Sequence, residues 1–408
     1  MPNLPSHKNC SGCLACIDCC PVQALSMKRK NGFFHIIVNH STCIKCKLCE
    51  KVCPNLTFKT SNKETDTKVY AVWSLNQNIR FQSASGGAFA ELARHFLVNG
   101  GHVAGAVLEN NRVFHKFIHH ADDLSQLQNS KYIQSDTRNI YKETQKLLLR
   151  NEKVLFSGTP CQIAGLFRFL KKDNTKNLLT AEIVCNGVES ELVLQDHLHH
   201  FQADRIISFR DKTQGMKSYG TTTLSIQGSS RKIPQKEDIF ARFFFGGLTL
   251  RPSCYNCPFS ILPRTADITL GDYWGSDEWP EETEKGISLV ITNNSRGALA
   301  FHELQESGNI ESYPVKWEKC LPHNPRIFTG KNYLQYHPAR MFSKLIRLII
   351  PAKLQRKIFS HPVPFAFDKF SLKIITFIAD YFSSRTRKKC QEAVSRMNRF
   401  TNEKKEII

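Results

Sequence analysis

The sequence predicts an α+β chain in three parts: a small cysteine-rich module, a larger mixed α/β domain, and a basic helical segment at the C-terminal end. Three observations predict it. Cysteines crowd the first 60 residues at a repeated spacing, apolar runs of strand and helix character follow from Val69 onward, and Lys and Arg outnumber Asp and Glu by 17 to 5 over residues 331–408. The 408 residues exceed what one core usually accommodates, so two or three domains are expected.

Composition narrows the classes further. No uncharged apolar stretch of about 18 residues occurs, which argues against a membrane-spanning helix. The N-terminus MPNLPSHKNCSGC has no apolar core of a signal sequence, so a cytoplasmic protein is expected. Under reducing conditions the 15 cysteines, bunched at ligand spacing, favour metal binding over disulfides. The formal charge is +20. Metal-bound cysteinates would lower this figure by a few charges and leave the chain basic.

The first module, residues 1–60, reads CSGCLACIDCCP and then CIKCKLCEKVCP. Cys10, Cys13, Cys16 and Cys20 before Pro21, and Cys43, Cys46, Cys49 and Cys53 before Pro54, repeat the spacing of bacterial two-cluster ferredoxins. Short gaps aim three sulfurs at one cubane, and the fourth cysteine points to the other. One cluster should therefore take Cys10, Cys13, Cys16 and Cys53, and the other Cys43, Cys46, Cys49 and Cys20. Zinc ligand pairs are usually separated by a longer spacer and lack the Cys-Pro ending. The fold expected is bacterial-ferredoxin-like, each half a loop and a short helix, with GFFHIIVNHST supplying strand between them. Cys19 reads as an adjacent free thiol. Lys8, Lys28, Arg29, Lys30, Lys45, Lys47, Lys51 and Lys59, against Asp18 and Glu50, fit either docking to an acidic redox partner or a solvated basic face.

Such a module only moves single electrons, so the residues beyond it should hold a second donor or acceptor. After a polar linker at 60–68, a second domain over 69–320 opens with the strand VYAVWSL. SASGG then starts a helix that ends on Gly100 and Gly101. Ser83, Ser85, Gly86 and Gly87 thus sit at a helix N-terminus, which suits either a phosphate or an ordinary cap. No GxGxxG follows a strand, which disfavours a Rossmann NAD site. KVLFSGTPCQIAGLFRFL reads as strand, turn and helix, with Pro160 at the first helical position and Cys161 beside it, where a thiolate is stabilised. LLTAEIVCNG is a strand delivering Cys185, and RPSCYNCPFS adds Cys254 and Cys257 on a loop. These four thiols could assemble a third 4Fe-4S site, a zinc site, or no site at all; Cys320 and Cys390 stand alone.

SASGGAF, SKYIQSD, VLFSGTPCQIAGL, IVCNG, LRPSCYNCPF and ADITLGDYWG, in this order, are similar to the coenzyme F420 hydrogenase/dehydrogenase beta-subunit family in its bacterial form with a fused two-cluster ferredoxin domain. The likeness covers about residues 1–310. It implies a flavin-type domain with FAD, a third 4Fe-4S cluster on Cys161, Cys185, Cys254 and Cys257, and flavin contacts from Ser85, Gly86, Gly87, Lys131 and Thr159. The activity implied is that of an iron–sulfur flavin-dependent oxidoreductase passing electrons between clusters and an organic substrate. Flavin suits that task because it accepts a hydride and releases single electrons. Where relatives commonly carry Cys-His-Gly, this chain has Cys185, Asn186 and Gly187, so a proton-donating histidine is missing. Asp267 and Asp272 remain as candidate acids, with strand-end turn acids as the alternative. The competing function is an electron-transfer adaptor serving a separate enzyme.

The tail, residues 331–408, alternates apolar and basic residues at helical spacing, as in MFSKLIRLIIPAKLQRKIF. That pattern fits amphipathic helices on an anionic membrane surface or a lid packed on the catalytic domain. A peripheral position at the inner membrane face would suit a lipid-linked sugar or surface-polysaccharide substrate. Nucleic-acid recognition motifs are not evident.

Overall fold

The computed structural model describes residues 2–57, 67–170, 175–216, 220–274, 277–320 and 323–324. The basic tail, Cys390, Lys59 and most of the expected linker lie outside these residues.

Short cysteine gaps leave the N-terminal module little room for regular structure. Among its described residues are three four-residue helices and one hairpin: α1 (Ala15–Asp18), β1 (Leu25–Lys30), β2 (Phe33–Val38), α2 (Leu48–Lys51) and α3 (Pro54–Thr57). The sequence reading expects one strand; the structure pairs it with a second. Asn31 and Gly32 turn the chain at φ 52° and 76°, the left-handed pair that a two-residue hairpin demands. Lys30 therefore faces Phe33 and the strands run antiparallel to Leu25 and Val38.

The larger domain runs β3 (Lys68–Ser74), α4 (Gln77–Gln82), α5 (Ala88–Val98), β4 (His102–Glu109), β5 (Arg112–Ile118), α6 (Ile140–Leu149), β6 (Val154–Gly158), α7 (Pro160–Leu170) and β7 (Leu178–Ile183). It continues through α8 (Glu191–His200), β8 (Arg205–Ser208), β9 (Thr222–Ile226), β10 (Ser229–Ile233), α9 (Ile239–Gly246), β11 (Ile268–Asp272), α10 (Pro280–Lys285), β12 (Ser288–Thr292), α11 (Ser295–Glu306) and β13 (Ile310–Pro314). Eight strands form one mixed sheet in the order β13-β3-β12-β11-β7-β6-β4-β5. At its centre β4, β6, β7 and β11 are parallel, and antiparallel partners close both flanks.

Central parallel strands are covered on both faces, which is why VLFSG and LLTAEI are almost unbroken apolar runs. On one face Leu155, Leu179 and Ala181 pack with Ala93 of α5 and Phe301 of α11. On the other, Val154, Phe156 and Leu178 pack with Ile163 and Leu166 of α7, and with Cys13, Ala15 and Val52 of the N-terminal module. The cysteine-rich module is thus a layer of the fold, sharing a core with the sheet. A smaller sheet, β10-β9-β8, carries α8 and α9 over a separate core around Phe209 and Phe240. Among the described residues no helix is long and apolar enough to cross a membrane.

Candidate redox centres

The two N-terminal half-motifs bend in the same way. Gly12 and Leu14 have φ 70° and 60°, and the matching positions of the second half, Lys45 and Lys47, have φ 57° and 60°. Left-handed residues on either side of the middle cysteine curl the loop, and such alternation turns successive N–H groups inward toward an anionic centre. Leu14 and Lys47 then become the N-caps of α1 and α2.

This folding brings the fourth cysteine of each half to the other half. A cavity of about 220 Å³ opens on Cys10, Cys13, Cys16 and Cys53, joined by the side chains of Leu4 and Val38. Burial pushes the Cys13 thiol up to about 12, with Cys10 and Cys53 adding to the shift. Cys16 lies well above the usual thiol range, also by burial first and then by Cys13, Cys10 and Cys53. Cys20, Cys43 and Cys49 gather in a second apolar cluster, and Cys46 stands exposed beside Cys49. Two backbone donors already reach sulfur, Gly12 N to Cys10 Sγ at 3.4 Å and Ala24 N to Cys20 Sγ at 3.2 Å. A set of four crowded thiols with N–H donors fits a 4Fe-4S cubane, whose iron deprotonates its ligands outright and whose potential such donors tune. Cys19 sits between the sets: its thiol donates to Cys16 O at 3.3 Å and is pushed up to about 12 by burial, then by Cys49, Cys20 and Cys46.

The body supplies the other four cysteines from scattered places. Gly158 ends β6, Thr159 turns, and Pro160 begins α7, whose second residue is Cys161. Cys185 follows β7, and Cys254 and Cys257 lie on a loop that begins with Arg251. Glu189 bridges Leu250 in an antiparallel pair and Arg251 N donates to Val188 O at 3.0 Å, so the Cys185 and Cys254 segments are sewn together. Gly187, at φ 136°, leaves little room for a side chain: an added Cβ would lie 2.8 Å from Leu250 Cδ1 and 3.4 Å from Cys254 Cβ. Cys161 is flanked by Cys257 and Cys185, and also by Cys13 of the N-terminal module. The helix start leads the sequence reading to expect a stabilised Cys161 thiolate; in the folded chain burial, followed by Cys257, holds the thiol well above its usual range, and only the Thr159 hydroxyl at 3.2 Å opposes this. Desolvation outweighs the helix dipole here, and a bound metal would be needed to ionise it. Among the described residues no three His, Cys, Asp or Glu side chains converge at single-ion distance.

The contacts that lock the module to the body were not legible as site residues. Arg251 is fully buried and donates to Cys10 O at 2.7 Å, Phe34 O at 2.9 Å and Gln134 Oε1 at 2.9 Å. Thr137 and Tyr141 both donate to Cys13 O, at 2.7 and 2.8 Å, and Gln134 donates to Gly12 O at 3.2 Å. An added Cβ on Gly165 of α7 would lie 3.1 Å from Cys13 Sγ. A buried cation thus sits between the loop of Cys10 and the loop of Cys254. The only signal in the sequence is position, with Arg251 three residues before Cys254 and Gln134 in SKYIQSD.

The candidate flavin contacts spread along one end of the sheet. Ser85 Oγ donates to Ile287 O at 2.7 Å, while Ser85 O accepts from the buried Lys212 Nζ at 2.6 Å. Gly86 is fixed by the sheet, since a Cβ there would approach Val72 O to 2.4 Å, and Gly87 needs its φ of 93° to cap α5. Lys131 Nζ donates to Gln128 O at 2.6 Å, and burial lowers its pKa to about 7. Lys212 is also lowered to about 7, by burial and then by Arg210 and Arg80. Thr159 Oγ1 reaches Gln162 Oε1 at 3.0 Å as well as Cys161.

Both candidate acids are engaged. Asp267 is buried and accepts from Thr180 N and Oγ1 through Oδ2, at 2.8 and 2.7 Å, and from Asn294 Nδ2 through Oδ1 at 3.0 Å. Asp272 takes both guanidinium arms of Arg210, at 2.9 and 3.0 Å. Asn186 donates to Phe244 O at 3.0 Å where the resemblance would place a histidine.

Comparison with known proteins finds two family matches. Residues 9–56 match the 4Fe-4S dicluster domain, and residues 151–317 match the family defined by the C-terminal part of the coenzyme F420 hydrogenase/dehydrogenase beta subunit. Among solved structures, a chain from a study of xenon derivatization of the F420-reducing NiFe hydrogenase complex from Methanosarcina barkeri aligns with 71% of this chain and 94% of its own, at 15% identity and a TM-score of 0.45. No match was found among curated proteins. The chain is an iron–sulfur electron-transfer protein related to the coenzyme F420 hydrogenase/dehydrogenase beta subunits, with a dicluster domain at its N-terminal end.

Proposed function

We propose that this protein is an iron–sulfur flavoenzyme that exchanges electrons with an external carrier through its N-terminal clusters and with an organic substrate through FAD. The observation that carries the reading is that buried Cys161 has Cys257, Cys185 and Cys13 as its neighbouring thiols, with Cys254 on the loop sewn to that of Cys185. Four thiols in that position fit a third 4Fe-4S cluster, adjacent to the inner N-terminal site and so in line for electron relay.

FAD, when bound, supplies the conversion between hydride and single-electron chemistry. The residues this chain offers it are the backbone of Ser85, Gly86 and Gly87, the ammonium of Lys131 and the hydroxyl of Thr159. Partly buried Lys131 and buried Lys212 are the cations near these residues, each donating to backbone carbonyls, and an anion beside either would favour its charged form. The glycines at 86 and 87 are required by sheet packing and by backbone angle whether or not a phosphate binds. The basic tail, placed on an anionic membrane, would bring lipid-linked sugars or other surface-polysaccharide intermediates within reach.

A specific observation favours a second reading, an adaptor that relays electrons to a separate enzyme. Asp267 and Asp272 are both held in structural contacts and Asn186 replaces the expected histidine, so no described acid in these motifs is free to move a proton. Anaerobic purification followed by iron, sulfide, zinc and flavin analysis separates the two. About twelve irons and one flavin per chain are expected for the flavoenzyme. A full iron load without flavin would favour the adaptor, and about eight irons with one zinc would remove the third cluster.

A further inference from the structure

The two cluster loops share a backbone and differ in what they display. The inner loop, Cys10 to Cys16, is covered by the body, with Leu14 1% exposed and Cys13 7% exposed. The outer loop, Cys43 to Cys49, faces solvent: Ile44 is 60% exposed, Leu48 38%, and Cys46 between them is exposed as well. Large apolar side chains beside an exposed cluster ligand are what a transient electron-transfer contact requires, a small dry centre within a polar rim.

Backbone angles add an independent observation. At the position where the inner loop has Gly12, the outer loop has Lys45; where the inner loop has buried Leu14, the outer has Lys47. Lys45 and Lys47 hold φ of 57° and 60°, a region that costs an L-residue energy and that glycine adopts freely. The chain therefore keeps two exposed lysines at positions where glycine would fold more easily, on both sides of Cys46. Lys51, exposed at the end of α2, extends the same basic rim.

We propose that the tip formed by Ile44, Lys45, Cys46, Lys47 and Leu48 is the docking surface for an acidic one-electron carrier protein, and that electrons cross there between the carrier and the outer cluster. This rests on the dicluster part of the functional reading and on no flavin or third cluster. Charge complementarity selects the occupant. The chain's own tail, with 17 basic against 5 acidic residues over 331–408, has the same sign as the lysine rim and does not complement it. An anionic membrane would suit the charge but has no use for a cluster ligand at the contact centre.

The test uses the full-length protein with its clusters in place. Wild type and the Lys45→Gly, Lys47→Gly and double variants are mixed in stopped flow with a prereduced plant-type 2Fe-2S ferredoxin, an acidic carrier, at several salt concentrations. Glycine relieves the backbone at both positions, so iron content and reduction by dithionite should match wild type. The double variant should accept electrons from the ferredoxin about tenfold more slowly at low salt, and the difference should vanish at high salt, because exposed charges mainly steer encounter. Equal rates at every salt concentration would overturn the proposal, as would a wild type that the ferredoxin does not reduce. Equal slowing with dithionite would also overturn it, by showing damage to the cluster. Loss of binding to phosphatidylglycerol vesicles with unchanged ferredoxin rates would assign the tip to a membrane instead. Flavin and iron measured on the same samples report separately on the third cluster and FAD.

Discussion

In the N-terminal module the ligands carry their own geometry, whereas in the body the proposed ligands would borrow it. Cys10 to Cys20 and Cys43 to Cys53 sit on loops whose left-handed residues and short helices are local. Cys161, Cys185, Cys254 and Cys257 come from a helix start, a strand end and a separate loop, and a common site among them depends on β6 and β7 being neighbours and on Glu189 bridging Leu250. A local set should tolerate damage elsewhere. A borrowed set should fail when the sheet or the loop pairing is disturbed.

The largest expected effect tests whether the two sets are separable. Cys161→Ser should lower iron from about twelve to about eight per chain and leave the N-terminal electron paramagnetic resonance signals intact. Unchanged iron would break the comparison by removing the body's cysteines from cluster binding. Next comes the link between the sets. Arg251→Gln removes a buried guanidinium that serves Cys10 O and Phe34 O, and should lower stability by about 3 kcal/mol in chemical denaturation, since each buried acceptor left unpaired costs about 1–3 kcal/mol. Conservative Arg251→Lys should recover part of that loss. If the module instead unfolds in a transition of its own that Arg251→Gln does not move, the shared core is not cooperative.

Smaller effects sharpen the boundary. Tyr141→Phe deletes one donor to Cys13 O while Thr137 keeps another, so about 1 kcal/mol is expected, with no change in iron content. A pH-dependent effect belongs to Lys212. Burial lowers its pKa to about 7 in the fold, against about 10.4 in an unfolded chain. Between these values the unfolded state binds more protons, so stability rises as pH increases from about 7 toward about 10. Below about pH 7 both states are protonated and the full penalty remains. Lys212→Met should flatten that rise, which a series of denaturation curves across the window would detect; an identical slope would mean that Lys212 is charged in the fold.

The reading from sequence was most complete where structure is local. CxxCxxCxxxCP states the dicluster spacing, and KVLFSGTPCQIAGL shows its strand, turn and Pro-started helix because each signal lies within a few residues. It was least complete where a residue acts through distant partners. Arg251 looks like any cation in front of a Pro-Ser-Cys run until folding places Cys10 O and Phe34 O around it. Gly86 and Gly87 resemble a phosphate loop, yet what makes them glycines is the carbonyl of Val72 and a left-handed cap. Asp267 and Asp272 read as available acids until Thr180, Asn294 and Arg210 take their oxygens. Even the Asn31-Gly32 hairpin, a local signal, gained its meaning from the pairing of β1 with β2.

By itself, then, the sequence determined the chemistry of this protein: thiolate ligands at cubane spacing, a basic excess, and an α/β body with further cysteines at strand ends. Only the tertiary structure decided which cluster is buried and which is presented, because burial depends on the sheet face against which Cys13 and Ala15 pack. It also decided that a guanidinium lies between two cysteine loops 241 residues apart in the chain, since a contact at that separation is set by how whole layers stack and leaves no periodic trace in either segment.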